Sequence, residues 1–433
     1  MPVNPPTSRQ SGFSLIELLI GMLIALEILV VALTVFDVHN RMARLQLQIT
    51  DMQQSLRVAQ YDMVRTTRMA GRGGLPADFR VDPDDLSVPW LRGLAVESRD
   101  NVLDGGDNEV ALGTADPVAL PGTDILTVRG CLSGILFQMD AANPADFTPT
   151  SLVVHRNLPN GRSQDLSALL EPGFSGPMLL QSSVSRGQYA VAEVTAVAGT
   201  IQDVTLTITF TSVLSPPNPL VAVPPAGFVP GFACALEEYR YYVRQNFETP
   251  GDNATPLKPR LTRARMIPGT EMPHAGAAAN LVLDLADDIF DLQVALGFDT
   301  DHDSAASGVG SFDDDTDALG VDDVFYEGAD DDARGTDDWL GNSSADNPAD
   351  AEYRVNAAIP ARAVRLYYVR ISTLVRTARR DPRFVAPDFD PIAGEDFIEN
   401  NDYDAAPADV FKTPENRQYR HRLLRTVVDL RNI

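Results

Sequence analysis

Three groups of residues carry side chains at spacings that could do chemistry. In Gly12-Phe13-Ser14-Leu15-Ile16-Glu17, a small residue separates a polar leader carrying Arg9 from an apolar run that extends from Phe13 to Phe36. A peptidase cutting after Gly12 would release the leader and leave the apolar segment on the mature chain, with a new amine on Phe13. An ordinary secretory signal has the opposite order, with its small-residue cleavage site after a shorter apolar core. Glu17 lies inside the run. A carboxylate in hydrocarbon is costly unless paired, which makes Glu17 a candidate functional acid; the alternative is an acid close enough to the membrane surface to reach water. Glu27 is a second acid in the run. A partner Arg, a hydrated seam and chance accommodation all remain open for it.

The second group is acidic. Asp299, Asp301 and Asp303 alternate as in the opening of a calcium loop, where a hard cation collects several oxygens. The EF-hand pattern then fails, because Ser304 replaces the turn glycine and Gly310 stands where the closing acid belongs. Asp313, Asp314, Asp315 and Asp317 could supply further oxygens to one calcium ion from a loop of another kind. A solvated acidic loop with no ion is the other reading. The third group is Cys131 and Cys234, the only cysteines. No CxxC pair exists, which removes thioredoxin-type and zinc-ribbon chemistry. Outside the cytoplasm the two would pair as a disulfide; otherwise they are unpaired packing residues. His39, His155, His274, His302 and His421 form no HExxH, and there is no Gly-x-Ser-x-Gly elbow or phosphate-binding glycine loop. A non-enzymatic protein is expected.

The elements that position these residues follow from periodicity. About 24 apolar residues at ~1.5 Å each are enough to cross a bilayer as a helix. Beyond them Met42, Leu45, Ile49, Met52, Leu56, Ala59 and Met63 step by three and four, a heptad-like seam expected to pack on the protein's own sheet. Gly71, Gly73, Gly74 and Pro76 stop the helix, so one helix from Phe13 to about Ala70 is predicted. No proline interrupts its apolar half, which favours a straight rod. Strand-like runs follow at 124–129, 151–155, 204–210, 239–244, 290–296 and 364–369. Prolines between Pro216 and Pro230 mark a loop before Cys234. The chain of 433 residues carries a net charge of −25, which argues against nucleic-acid binding through a basic surface. Between Asp299 and Asp350 there are 17 acids against the single base Arg334, a net of −16. That stretch reads as a surface insertion rather than core.

The segment GFSLIELLIGMLIAL, with Gly12, Phe13 and Glu17, resembles the class III prepilin signal of type IV pilins and of type II secretion pseudopilins. The resemblance implies that a prepilin peptidase cuts between Gly12 and Phe13 and methylates the Phe13 amine. It also gives Glu17 a partner, the N-terminal amine of Phe13 in a neighbouring subunit, and with it a role in assembly. Three further segments resemble PilW-type minor pilins: Arg68-Met69-Ala70-Gly71 at the helix end, Leu292–Asp301 as a strand with an Asp-rich turn, and Arg425–Asn432 finishing in Leu-Arg-Asn. A J-type pseudopilin is the rival; K-type tip pseudopilins usually lack the acid found here as Glu17. The implied fold is α+β and pilin-like: a long N-terminal helix, membrane-spanning in its first half, packed on a mainly antiparallel β domain with long loops. The implied segments are a leader (1–12), the membrane half of the helix (13–36), its periplasmic half (37–71), a β-rich domain (72–298), the acidic insertion (299–350) and C-terminal strands (351–433). The resemblance further implies an inner-membrane protein with a periplasmic domain that later joins a surface pilus. Its partners would be minor and major pilins, the prepilin peptidase and the inner-membrane assembly platform. The assembled role would be priming of the filament and its tip, with adhesion or a calcium-regulated surface module as another role there.

Overall fold

The computed structural model describes residues 14–75, 90–92, 95–99, 119–120, 122–133, 136–139, 146–170, 176–184, 188–200, 202–211, 227–249, 252, 254–269, 282–299, 338–342, 353–355, 365–385, 397–398, 401–402 and 416–430. The chain divides into two compact units, residues 1–51 and 52–433. In the first, the described residues form helix α1 (Leu15–Thr67), which continues into the second unit. Leu15 through Val38 are all exposed, among them Leu15 at 79% and Phe36 at 64%. The helix is long and apolar enough to cross a membrane, and the apolar stretch exceeds the ~30 Å hydrocarbon core at ~1.5 Å per residue. An i,i+4 ion pair between Asp37 and Arg41 follows the apolar stretch.

In the second unit the seam becomes buried. Met52, Leu56, Ala59 and Met63 form one stripe and join a core that includes Leu126, Tyr241 and Val243 of a first sheet and Leu292, Val294 and Ile371 of a third. Polar groups fix the helix on its sheet. The Tyr241 hydroxyl donates to Asp62 Oδ2 (2.8 Å) and lies 2.7 Å from Thr66 Oγ1, and Arg263 Nη1 reaches the same carboxylate at 2.9 and 3.0 Å. Burial, then the Asp62 charge, push the Tyr241 hydroxyl far above its ordinary pKa, so it remains a donor.

The first sheet runs in the order Trp90–Arg92, Val96–Arg99, Ile125–Gly130, Glu237–Phe247, Leu257–Met266, Val282–Asp287, antiparallel throughout. At Asp288 (φ 61°) the chain turns out of it into Ile289–Asp299, the centre of the third sheet. That sheet has the order Tyr353–Val355, Asp338–Asn342, Ile289–Asp299, Arg365–Arg376, His421–Asp429; its first two strands are parallel and the rest antiparallel. The second sheet contains seven antiparallel strands, all between Phe137 and Ala235. One long helix and mainly antiparallel sheets make an α+β, pilin-like fold. The helix ends at Thr67, three residues before the predicted Ala70, and turns cover Arg68–Gly74. Asp338–Asn342, inside the acidic stretch read as an insertion, is a paired strand; Trp339 and Leu340 are its large apolar residues.

The outer face of the first sheet carries a row of buried ions. Arg129 Nη2 lies 2.5 Å from Glu97 Oε2, and its Nε lies 2.6 Å from Glu238 Oε2. Arg240 Nη2 sits 2.8 Å from Glu238 Oε1, and Arg99 Nε 3.3 Å from Glu97 Oε1. Period-two alternation places these residues opposite the helix-facing Val96, Val128, Tyr239 and Tyr241. Burial acts to raise the Glu97 pKa, but Arg129, Arg99 and Arg240 outweigh it and hold it at about 2.

The turn after α1 explains one glycine. Gly73 has φ +98°, and a Cβ there would meet both sulfurs of the Cys131–Cys234 disulfide, Cys234 Sγ at 2.9 Å. Gly73→Ala should therefore combine left-handed strain with overpacking and destabilise the protein by about 2–4 kcal/mol. Gly122 has φ +79° with nothing within 4 Å of a Cβ, so Gly122→Ala should cost only the strain, ~1–2 kcal/mol. Denaturant unfolding of the two variants compares them, and equal losses would contradict the packing argument.

Candidate processing and assembly site

Gly12 and Phe13 lie outside the described residues, so the site is built from Ser14 onward. The first turn of an α-helix leaves backbone N–H groups without partners. Here Ser14 caps them. Its Oγ accepts from the Ile16 N–H (3.3 Å), and its carbonyl accepts from the Leu18 N–H (3.2 Å). Glu17 reaches back in turn, and its Oε2 accepts from the Ser14 N–H at 3.1 Å. The four residues Ser14-Leu15-Ile16-Glu17 thus form a capping-box-type N-terminus, with the serine hydroxyl on the second helical N–H and the glutamate reaching back to Ser14. The signal, Ser-x-x-Glu at the start of an apolar run, stands in the sequence, but the sequence reading of Glu17 as a membrane acid and assembly counter-charge does not include it.

The cap has a chemical consequence. It holds a carboxylate at the positive end of the helix dipole, where an anion is favoured. It also holds that carboxylate on the backbone N–H of Ser14, the residue that follows Phe13 in the sequence. An acid held at this end of an apolar helix can serve as counter-charge to an ammonium group in a medium that screens it poorly. Glu27 is exposed on the same helix and makes no hydrogen bond or ion pair with another described residue.

The remaining candidates are dispersed. Cys131 and Cys234 form a disulfide with Cα atoms 5.9 Å apart. Asp299 closes the strand Ile289–Asp299, with its backbone opposite Arg365 and Asp338. Asp301, Asp303, Asp313, Asp314, Asp315 and Asp317 lie outside the described residues, as do His274 and His302. Among the described residues, no group of three or more His, Cys, Asp or Glu is placed to hold a metal ion. His155 Nε2 lies 2.8 Å from Asp146 Oδ2. His421 is held near pKa 4 by burial and by Arg376.

The model of the prokaryotic N-terminal methylation motif matches residues 7–33. No curated protein and no solved structure matches the chain. The segment is thus a type IV pilin-like, class III signal, which implies processing by a prepilin peptidase and assembly with pilins. Joined to an apolar helix of this length, it points to membrane anchoring.

Proposed function

We propose that this chain is a PilW-type minor pilin of a type IV pilus, a non-enzymatic subunit that primes filament assembly and sits toward the fibre tip. The observation that carries the reading is the methylation motif at the head of an apolar helix whose later turns pack on a β domain. The three PilW-like segments support it by their places in the fold. Arg68-Met69-Ala70-Gly71 forms the exit from α1, Leu292–Asp299 lies in the central strand of the third sheet, and Arg425–Asp429 ends the strand that pairs with Arg365–Arg376. In this role the chain waits in the inner membrane with its β domain in the periplasm, then enters the surface filament. Gly12 and Phe13 are the cleavage site, Phe13 the methylated residue, and Glu17 the acid that pairs with a neighbour's amine.

The test separates that charge from the cap. Glu17→Gln keeps a capping-box side chain but removes the charge; Glu17→Ala removes both. Both variants should insert in the membrane at least as well as the wild type, since a carboxylate in hydrocarbon opposes insertion. After cross-linking in native membranes, both should recover partner pilins at least about tenfold less well, a change that needs only ~1.4 kcal/mol. Wild-type recovery by Glu17→Gln would reduce Glu17 to a helix cap. Recovery of secretion-system pseudopilins in place of pilus minor pilins would overturn the assignment to a pilus.

A further inference from the structure

Strands Ile125–Gly130 and Glu237–Phe247 are neighbours in the first sheet, paired from Gly130 opposite Glu237 to Leu126 opposite Tyr241. A tight turn would be enough to join them. Residues 131–236 intervene instead, and they contain every strand of the second sheet. This segment has its own core. Phe137, Leu152, Met178, Leu180, Ile208 and Phe210 belong to a buried cluster drawn wholly from residues 137–233. Alternation along Gly176–Ser182 sends Leu179 the other way, into the main core, so the segment docks on the rest through one face. Its sheet is also tied across its ends. Gln164 Nε2 donates to the carbonyls of Gln138 (3.0 Å) and His155 (2.6 Å), and Gln164 Oε1 accepts from the Gln138 N–H (2.9 Å).

The neck has two clasps in series. One is the ladder pair Gly130 and Glu237; the other is the Cys131–Cys234 disulfide just beyond it. While the first sheet is folded, the ladder already holds the segment's ends together and the disulfide adds little. Once that sheet opens, the disulfide and the pairing of Phe137 with Ala233 inside the second sheet still hold the ends together, and only the disulfide persists as the segment itself unfolds. A cross-link spanning 103 residues then limits the open segment's conformational freedom and opposes its unfolding.

We propose that residues 131–234 form a separately folding module, closed at its neck by Cys131–Cys234, that stays folded when the first and third sheets open. Both sulfurs are buried, with Cys131 at 0% and Cys234 at 1% exposure, so a thiol reagent reaches them only after the neck opens. A dithiol then breaks the Cys131–Cys234 bond, leaves two cysteine thiols and closes to its own cyclic disulfide.

The full-length protein in detergent provides the test. Its two tryptophans, Trp90 and Trp339, lie in the first and third sheets, so their emission along a denaturant series follows those sheets and not the module. Hydrogen exchange read by mass spectrometry on peptides from 137–235 follows the module. Without reductant, the tryptophan transition should come first, with the 137–235 amides protected to higher denaturant. With dithiothreitol, the module's opening constant should rise on the order of 100-fold or more and its transition should move toward that of the tryptophans. The double variant Cys131→Ser, Cys234→Ser should show the lowered module transition from the start; if it does not fold, reduction of the wild type decides. Coincident transitions in the oxidised protein, or a module transition that dithiothreitol does not move, would overturn the proposal.

Discussion

Gly12→Leu is expected to leave the twelve-residue leader on nearly all of the protein. The residue before the proposed cut lies where the polar leader meets the apolar helix. There a membrane-embedded peptidase must bring its catalytic groups against the backbone, and a side chain at Gly12 obstructs that approach. The loss should be close to complete because Gly12 is the residue at the boundary itself, with the apolar run beginning at once at Phe13. On the proposed pairing of Glu17 with a neighbour's amine, the uncut chain offers no Phe13 amine as counter-charge, so the variant should be missing from filaments. The mass of the purified protein checks the first effect, and immunodetection in sheared surface fibres checks the second. Wild-type cleavage of Gly12→Leu would remove Gly12 from the account.

The largest stability effect is expected at Arg129. Arg129→Met keeps most of the side-chain volume and deletes the charge that bridges Glu97 and Glu238, which are 4% and 0% exposed. Removing one member of a buried ion network strands its partners, at a cost of about 3–5 kcal/mol. The pH dependence identifies the cause. The folded-state pKa of Glu97, about 2, lies below its ordinary 4.5. Its ionised form therefore stabilises the fold above pH 4.5, and that contribution is lost as pH falls toward 2. In Arg129→Met the Glu97 pKa rises, so the stability gap from wild type should be wide at pH 7 and narrower at pH 3. Denaturant unfolding at the two pH values measures both. A gap under about 1 kcal/mol at pH 7, or one independent of pH, would show that the network contributes little.

What could be read from the sequence is what short-range periodicity encodes. The apolar run, the three-and-four stepping of Met52, Leu56, Ala59 and Met63, and the Gly71–Gly74 stop define α1 to within three residues at its C-terminal end. Alternating β-branched and aromatic residues mark the strand Ser151–His155 and the first half of Arg365–Arg376. What could not be read depends on register. Glu97-x-Arg99 and Glu238-x-Arg240 look like solvated strand faces until antiparallel pairing sets Glu238 opposite Arg129 and aligns five charges on one buried face. The module between Cys131 and Cys234 escapes notice for the same reason, since nothing local says that Gly130 and Glu237 are neighbours. Asp338–Asn342 was submerged in the charge of its surroundings, and charge density outweighed the β-propensity of Trp339 and Leu340. Ser14 and Glu17 show the reverse case. The capping box is local and legible, and it supplies a structural reason for Glu17 alongside the assembly role.

The central claim is that Phe13 becomes the first residue of a membrane-anchored filament subunit. Mass spectrometry of the N-terminal peptide, on protein recovered from native membranes and from sheared surface fibres, tests it most directly. The account predicts a peptide that begins at Phe13 and carries a methyl group on its amine in both samples. A chain that retains its leader in the fibres, or a mature N-terminus elsewhere, would contradict it.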